Sequence, residues 1–292
     1  VRVVTLLPGA TEIVAALGAV EQLVGRSHEC DWPPAVAGIP SVTTTPIAAS
    51  LPSGAIDAAV RAAREAGRPV IAVDARRLAE LAPDVVVTQE LCEVCAVADG
   101  EARRLAAVLE RPPEVVGLSG RTLDGVYGDI RRPGRALGRE AEADALVARM
   151  RARLAALPRP AVRRRVVCVE WLDPPCLAGH WTPELVAAAG GEDVGARAGE
   201  HSRRATWTEI AGLAPELVVV MLCGFGVERS LAELARCGDA EALALFRRVP
   251  TWVLDGNAYT SRPGPRLVEG AERIAAALAG REMPGLARPR AA

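Results

Sequence analysis

Leu81-Ala-Pro-Asp-Val-Val-Val-Thr-Gln-Glu-Leu-Cys-Glu-Val-Cys95 decides how this chain is read, because its first half returns as Leu213-Ala-Pro-Glu-Leu-Val-Val-Val220. In each copy a short amphipathic helix, marked by Leu78 and Leu81 or by Ile210 and Leu213, ends at a proline that cannot continue it. A continuous apolar run follows, the pattern of a strand buried on both faces of a parallel sheet. Each run stops in a polar or sulfur-bearing loop, Gln89–Cys95 in one half and Cys223–Gly226 in the other. The expected fold class is therefore α/β: two Rossmann-like lobes with mostly parallel sheets, joined by a long spacer helix. Ligands of open α/β sheets sit beyond the carboxyl ends of the strands, so both loops are expected to serve one cleft between the lobes.

Outward from the repeat, an amino-terminal lobe is expected over 1–121, a connecting helix over 122–157, a second lobe over 158–280 and a flexible tail over 281–292. Val1–Leu7 reads as the first strand, ending in Pro8-Gly9-Ala10, with Thr11 placed to cap the helix that follows. Leu23–Gly25 feeds the loop Arg26–Pro34, and residues 41–56 look like an irregular insertion. The pattern Leu123, Val126, Ile130, Leu137, Leu146, Met150, Leu154 marks the spacer helix, with an interruption expected at Pro133-Gly134. Arg165–Val169 opens the second lobe, and Thr206-x-x-Glu209 is a capping box before the repeated strand.

A chain of 292 residues, 50% hydrophobic, is long enough for two cores. Its 36 acidic and 35 basic residues leave a net charge of −1, so no excess positive field attracts nucleic acid. No run approaches the roughly 20 apolar residues a spanning helix needs. Seven cysteines, odd in number and irregularly spaced, do not form a secreted disulfide framework, so reduced thiols are expected. Val1–Leu7 is already a strand with no apolar leader ahead of it, which predicts a cytoplasmic protein; a trimmed mature chain would be periplasmic or cell-surface instead.

The residues suited to chemistry fall in post-strand loops: Pro8, His28, Cys30 and Trp32; Gln89, Cys92 and Cys95; Trp171, His180 and Trp181; Phe225; Tyr259 and Arg262. Three of five tryptophans lie in loops of a chain with 3% aromatics, which favours ligand stacking by Trp171 and Trp181, with core packing as the alternative. Cys92-x-x-Cys95 has no partner pair at metal-site spacing, so Cys30, Cys92 and Cys95 are either thiolate ligands grouped at one sheet edge or packing residues. No Gly-x-Ser-x-Gly, P-loop, His-Glu-x-x-His or Gly-x-Gly-x-x-Gly occurs, and no catalytic cofactor is implied.

Val-Thr-Leu-Leu-Pro-Gly-Ala-Thr-Glu at 4–12, the two Leu-Ala-Pro-Asp/Glu strands, the spacer helix and Asp255-Gly-Asn-Ala-Tyr259 together resemble the substrate-binding proteins that deliver cobalamin or ferric siderophores to ABC importers. The resemblance covers residues 1 to 280. The loops at Ser27–Pro33, Gln89–Val97 and Gly256–Pro265 are similar to those of the cobalamin-binding branch. It implies a monomeric, non-enzymatic binder of a corrinoid or similar metal chelate, partnered by an ABC permease. Where that family carries one permease-facing glutamate per lobe, this chain has Arg76 and Thr208, with Glu80 and Glu209 nearby. A cytoplasmic binder, carrier or sensor of a metal chelate, and an enzyme with a Cys/His metal site, are the alternatives.

Overall fold

The computed structural model describes residues 1–90 and 99–289, so Cys92 and Cys95 lie outside the described residues. It divides into two compact units. The first holds residues 1–51, 58–149 and 263–265; the second holds 52–57, 150–262 and 266–292. The elements in chain order are β1 (Val3–Thr5), α1 (Pro8–Ala16), β2 (Leu23–Gly25), β3 (Thr43–Thr44), α2 (Ser53–Glu65), β4 (Ala72–Val73), α3 (Ala75–Leu81), β5 (Val85–Gln89), α4 (Asp99–Ala107), β6 (Glu114–Leu118), α5 (Leu123–Ala136) and α6 (Glu140–Ala155). The second half continues with β7 (Arg164–Leu172), β8 (Pro175–Leu177), α7 (Thr182–Ala188), β9 (Gly191–Asp193), β10 (Arg203–Arg204), α8 (Trp207–Gly212), β11 (Leu217–Val220), α9 (Val227–Ala235), α10 (Ala240–Arg248), β12 (Thr251–Leu254), α11 (Gly256–Tyr259), α12 (Leu267–Leu278) and β13 (Leu286–Ala287). Among the described residues no helix is long and apolar enough to cross a membrane.

The expected internal repeat is visible in the strand order. In the first unit the sheet runs β2-β1-β5-β6, all parallel. In the second, β9, β7, β11 and β12 repeat that parallel order, extended by antiparallel β8 and β10 on one side and β13 on the other. The continuous apolar runs are the central strands: Val85–Gln89 and Leu217–Val220 are buried at every position.

The two copies also share a device that the repeated words do not spell out. Arg2 donates its backbone N–H to the Asp84 carboxylate at 2.7 Å and its guanidinium to the Leu81 carbonyl at 2.8 and 3.0 Å. Arg165 does the same with Glu216, at 2.9 Å, and with the Leu213 carbonyl, at 2.7 Å. A cation at the carboxyl end of a short helix takes up carbonyls that have no partner within the helix. Between each helix and its proline the chain turns through a left-handed alanine, Ala82 at φ 39° and Ala214 at φ 47°. An L-residue there costs about 1–2 kcal/mol, against about 0.5–1 kcal/mol for the extra freedom glycine has when unfolded. Ala82→Gly and Ala214→Gly are each expected to raise stability, by about 0.5–1 kcal/mol, and urea unfolding of either variant checks it.

Three local expectations are corrected. Thr11 does not cap the first helix: α1 starts at Pro8, which fits the first helical position because the N–H it lacks would have no partner there, while Thr11 is buried inside the helix. The connecting segment is two helices, and the break falls at Leu137–Arg139, not at Pro133, which stays within α5. Gly138 adopts φ 64°, the Arg139 N–H bonds the Gly134 carbonyl at 2.7 Å and the Gly138 N–H bonds that of Arg135 at 3.2 Å, a Schellman stop. Finally, the expected tail contains β13, antiparallel to β12 through Val253 and Ala287, with Leu286 buried and the Arg288 guanidinium over Trp252. Without it β12 would present an unpaired edge.

Each unit has its own apolar core. Val4, Leu6, Leu78 and Val86 centre the first, and Val167, Ile210, Val218, Leu222 and Val253 the second. The end of the insertion read as irregular belongs to the second unit. There the Ser53 N–H bonds buried Glu233 at 2.9 Å, Asp57 pairs with Arg204 at 2.5 Å, and Ile56 packs on the core.

Candidate functional site

In the first unit, β1 ends directly in α1, with Pro8 in its first turn. Gly9 is required next to it, because a Cβ there would lie 2.8 Å from the Pro263 carbonyl. The loop after β2 is organised by Arg26, whose guanidinium donates to the carbonyls of Val36, Ser27, Cys30 and Ala37 at 2.9–3.3 Å. This brace leaves His28 half-buried and Trp32 45% exposed. Composition offered no sign of it, since Arg26 is one of many arginines; only its place at a strand end distinguishes it. Cys30 is buried and accepts a hydrogen bond from the Thr11 hydroxyl at 2.9 Å, which in turn meets Thr5 at 2.6 Å. Gln89, at the end of β5, is buried in register with Leu118.

In the second unit, Trp171 stands near the carboxyl end of β7, half-buried, edge-on to Phe225 with ring centroids 5.3 Å apart. Its indole N–H donates to the Asp173 carbonyl at 3.1 Å. Phe225 itself is 3% exposed and carries the Arg229 guanidinium 3.4 Å from its ring centroid. It supports the ring of Trp171 from the core and offers little surface of its own. Opposite Trp171 sits Cys176, whose sulfur lies 3.7 Å from the Glu170 carboxylate; burial first and Glu170 second push its thiol up to about 12. Burial raises Cys168 well above the usual thiol range too, so neither is a thiolate at neutral pH.

The structure does not gather all the predicted contacts at one edge. His180, four residues beyond Cys176, has turned back along β7, and its N–H bonds the Glu200 carbonyl at 2.6 Å in the loop after β9. Its ring meets His201 at 5.3 Å and Trp181 at 5.6 Å. Trp181, expected to stack on ligand, is 6% exposed and gives its indole N–H to the Thr260 carbonyl at 2.9 Å, which makes it a packing residue. Arg262 is buried and reaches Asn257 at 2.7 Å. Tyr259 is half-buried under the guanidinium of Arg273, 3.6 Å from the ring centroid, with Arg266 at 4.9 Å.

The described residues contain no group of three or more His, Cys, Asp or Glu that could hold a metal ion. The expected grouping of Cys30 with Cys92 and Cys95 involves residues outside the described ones. A groove of about 410 Å³ runs along β6, lined by Glu90, Arg103, Glu114, Arg132 and Arg135 among others, and includes none of the residues singled out in the sequence. Near the repeated strands, Glu80 pairs with Arg76 at 2.8 Å and Glu209 closes the capping box with Thr206.

Residues 3–236 match the periplasmic binding protein family, and the chain belongs to it. No curated protein matches it by sequence. Solved structures similar to it include a periplasmic heme binding protein from Pseudomonas aeruginosa, 21% identical, covering 99% of this chain and 98% of that one, with a TM-score of 0.73. The periplasmic vitamin B12 binding protein BtuF of Vibrio cholerae is 17% identical over 95% of this chain and 96% of its own, with a TM-score of 0.62. An ABC-type Fe3+-hydroxamate transport system from Saccharomonospora viridis is 20% identical over 95% and 92%, at 0.66. At such identities the likeness shows the two-lobed fold. Family membership overturns the cytoplasmic location expected from the first residues: the family is periplasmic, and where a sequence begins is not a measure of where its protein resides.

Proposed function

We propose that this member of the periplasmic binding protein family captures a corrinoid, or a similar large metal chelate, outside the cytoplasmic membrane and hands it to an ABC permease, without catalysing a reaction. The observation that carries the reading is aromatic surface left partly open at the end of β7 and in the loop after β2. Trp171 presents a half-buried indole braced by Phe225, and Trp32 lies 45% exposed in a loop braced by Arg26. Held rigid, large apolar faces lose little freedom when a broad ligand stacks on them. The corrinoid, as against haem or a ferric siderophore, is supported by the likeness of the Ser27–Pro33 and Gly256–Pro265 loops to the cobalamin-binding branch. We propose His28, Trp32, Trp171 and Tyr259 as contacts, with Pro8 and Gln89 shaping the post-strand turns.

Titration with cyanocobalamin followed by tryptophan fluorescence tests this. Saturable quenching is expected, and Trp171→Ala is expected to weaken binding tenfold or more, about 1.4 kcal/mol, while Trp171→Phe keeps most of the affinity. Absence of quenching by any corrinoid would remove the reading.

A further inference from the structure

In the second unit the outer edge of β12 is covered by antiparallel β13, with Val253 opposite Ala287 and Leu254 opposite Leu286. The repeat identifies the strand of the first unit that stands in the same place. Leu81-Ala-Pro-Asp-Val85 matches Leu213-Ala-Pro-Glu-Leu217, so β5 matches β11, and their outer neighbours are β6 and β12. Val86 lies opposite Val115 and Val218 opposite Thr251, so Val115 corresponds to Thr251 and Gly117 to Val253. Yet β6 ends its sheet: among the described residues no strand pairs with its outer side.

That edge offers usable backbone. β6 is parallel to β5; the Glu114 N–H bonds the Asp84 carbonyl at 2.9 Å, and the Leu118 carbonyl accepts the Glu90 N–H at 2.8 Å. Backbone groups facing β5 thus fall on even residues, and Val115 and Gly117 turn theirs outward. The Gly117 carbonyl already takes a donor, the Arg132 guanidinium at 2.7 Å. The Gly117 N–H and both backbone groups of Val115 have no partner among the described residues. Gly117 carries no side chain, so another backbone can approach it closely. Charged side chains on an edge strand normally deter pairing. Here Glu114 is the one charge on β6, and the arginines beside it, Arg103 on α4 and Arg132 and Arg135 on α5, line the groove along the strand. Arg135 is exposed and has neither ion pair nor hydrogen bond among the described residues.

We infer that β6 is a docking edge for an extended, acidic segment of a partner polypeptide, which adds to the first unit's sheet as an antiparallel fifth strand, in the place β13 takes on β12. Backbone bonds to Val115 and Gly117 give the segment its grip and register, and Arg103, Arg132 and Arg135 select it for its carboxylates. A short segment is enough, since β13 pairs through only two residues. The site lies wholly within the first unit and is independent of which chelate the protein captures.

The probe is a short fluorescein-labelled peptide of alternating Glu and Val. Its anisotropy is expected to saturate with a Kd below about 100 µM, and amide hydrogen exchange at Val115 and Gly117 is expected to slow at least fivefold when it is bound. Arg135→Glu, an exposed change, is expected to weaken binding at least tenfold. The same peptide with its backbone amides methylated is expected not to bind the wild type. No saturation up to about 1 mM overturns the inference, as does equal affinity for a peptide of alternating Lys and Val. Binding that survives methylation, or that leaves exchange at Val115 and Gly117 unchanged, means that charge alone holds the peptide and overturns strand addition. Protection of those amides in peptide-free protein that rises with protein concentration means that a second copy takes the edge, and overturns the inference as well. Methylation and exchange are read on the wild type, so the outcome does not rest on how a variant folds.

Discussion

Asp193→Asn is expected to abolish a pH-dependent loss of stability worth about 3 kcal/mol. Asp193 ends β9, where one carboxylate oxygen accepts from the N–H groups of Gly195 and Ala196 at 2.8 and 3.1 Å, while the other is buried without a hydrogen-bond partner among the described residues. Burial outweighs the two N–H bonds and raises the carboxyl to about 6. Below the ordinary value of 3.8 both the folded and the unfolded chain hold the proton, and there is no penalty. Between that value and about 6 the unfolded chain ionises while the folded one keeps its proton, so stability falls as pH rises. Above it both are ionised and the penalty is constant. Asparagine can take over the two N–H bonds and does not titrate. Urea unfolding of both proteins across this range should show the wild type losing about 3 kcal/mol relative to the variant; parallel profiles would remove the group from the account.

Trp181→Ala should cost about 3–5 kcal/mol, the range for emptying a buried aromatic site. The indole fills a 6%-exposed position and holds the Thr260 carbonyl, so truncation leaves both a cavity and an unsatisfied acceptor. Trp181→Phe separates the two, since it keeps most of the volume and loses only the N–H bond, at about 1–2 kcal/mol. Corrinoid affinity of the folded Phe variant should stay within a factor of about two of the wild type. A large affinity loss with unchanged stability would instead return Trp181 to the role of a stacking surface.

The contrast between Trp171 and Trp181 shows where sequence reading stops. Both read as loop residues in the sequence, yet Trp171 is the penultimate residue of β7 with its ring half-buried, while Trp181 turns into the core, because β8 folds back on β7 between them and redirects the chain. A hairpin of that kind is set by tertiary pairing and not by local composition. The parallel strands were legible because burial on both faces writes itself as uninterrupted valine and leucine. The paired arginines at 2 and 165 were not, since their meaning depends on which carbonyls lie across the sheet. Strand β13 was missed for the same reason: Leu286 and Ala287 look unremarkable until β12 is seen to need a neighbour. His28 was visible as a candidate, but its contact with Thr43, fifteen residues away in sequence, was not.

Competitive dialysis tests the central claim most directly. The ligand-free protein, presented at once with limiting amounts of cyanocobalamin, hemin and a ferric hydroxamate siderophore, should retain the corrinoid in preference to the other two. Retention of hemin or of the siderophore, with cyanocobalamin passing freely, would contradict it.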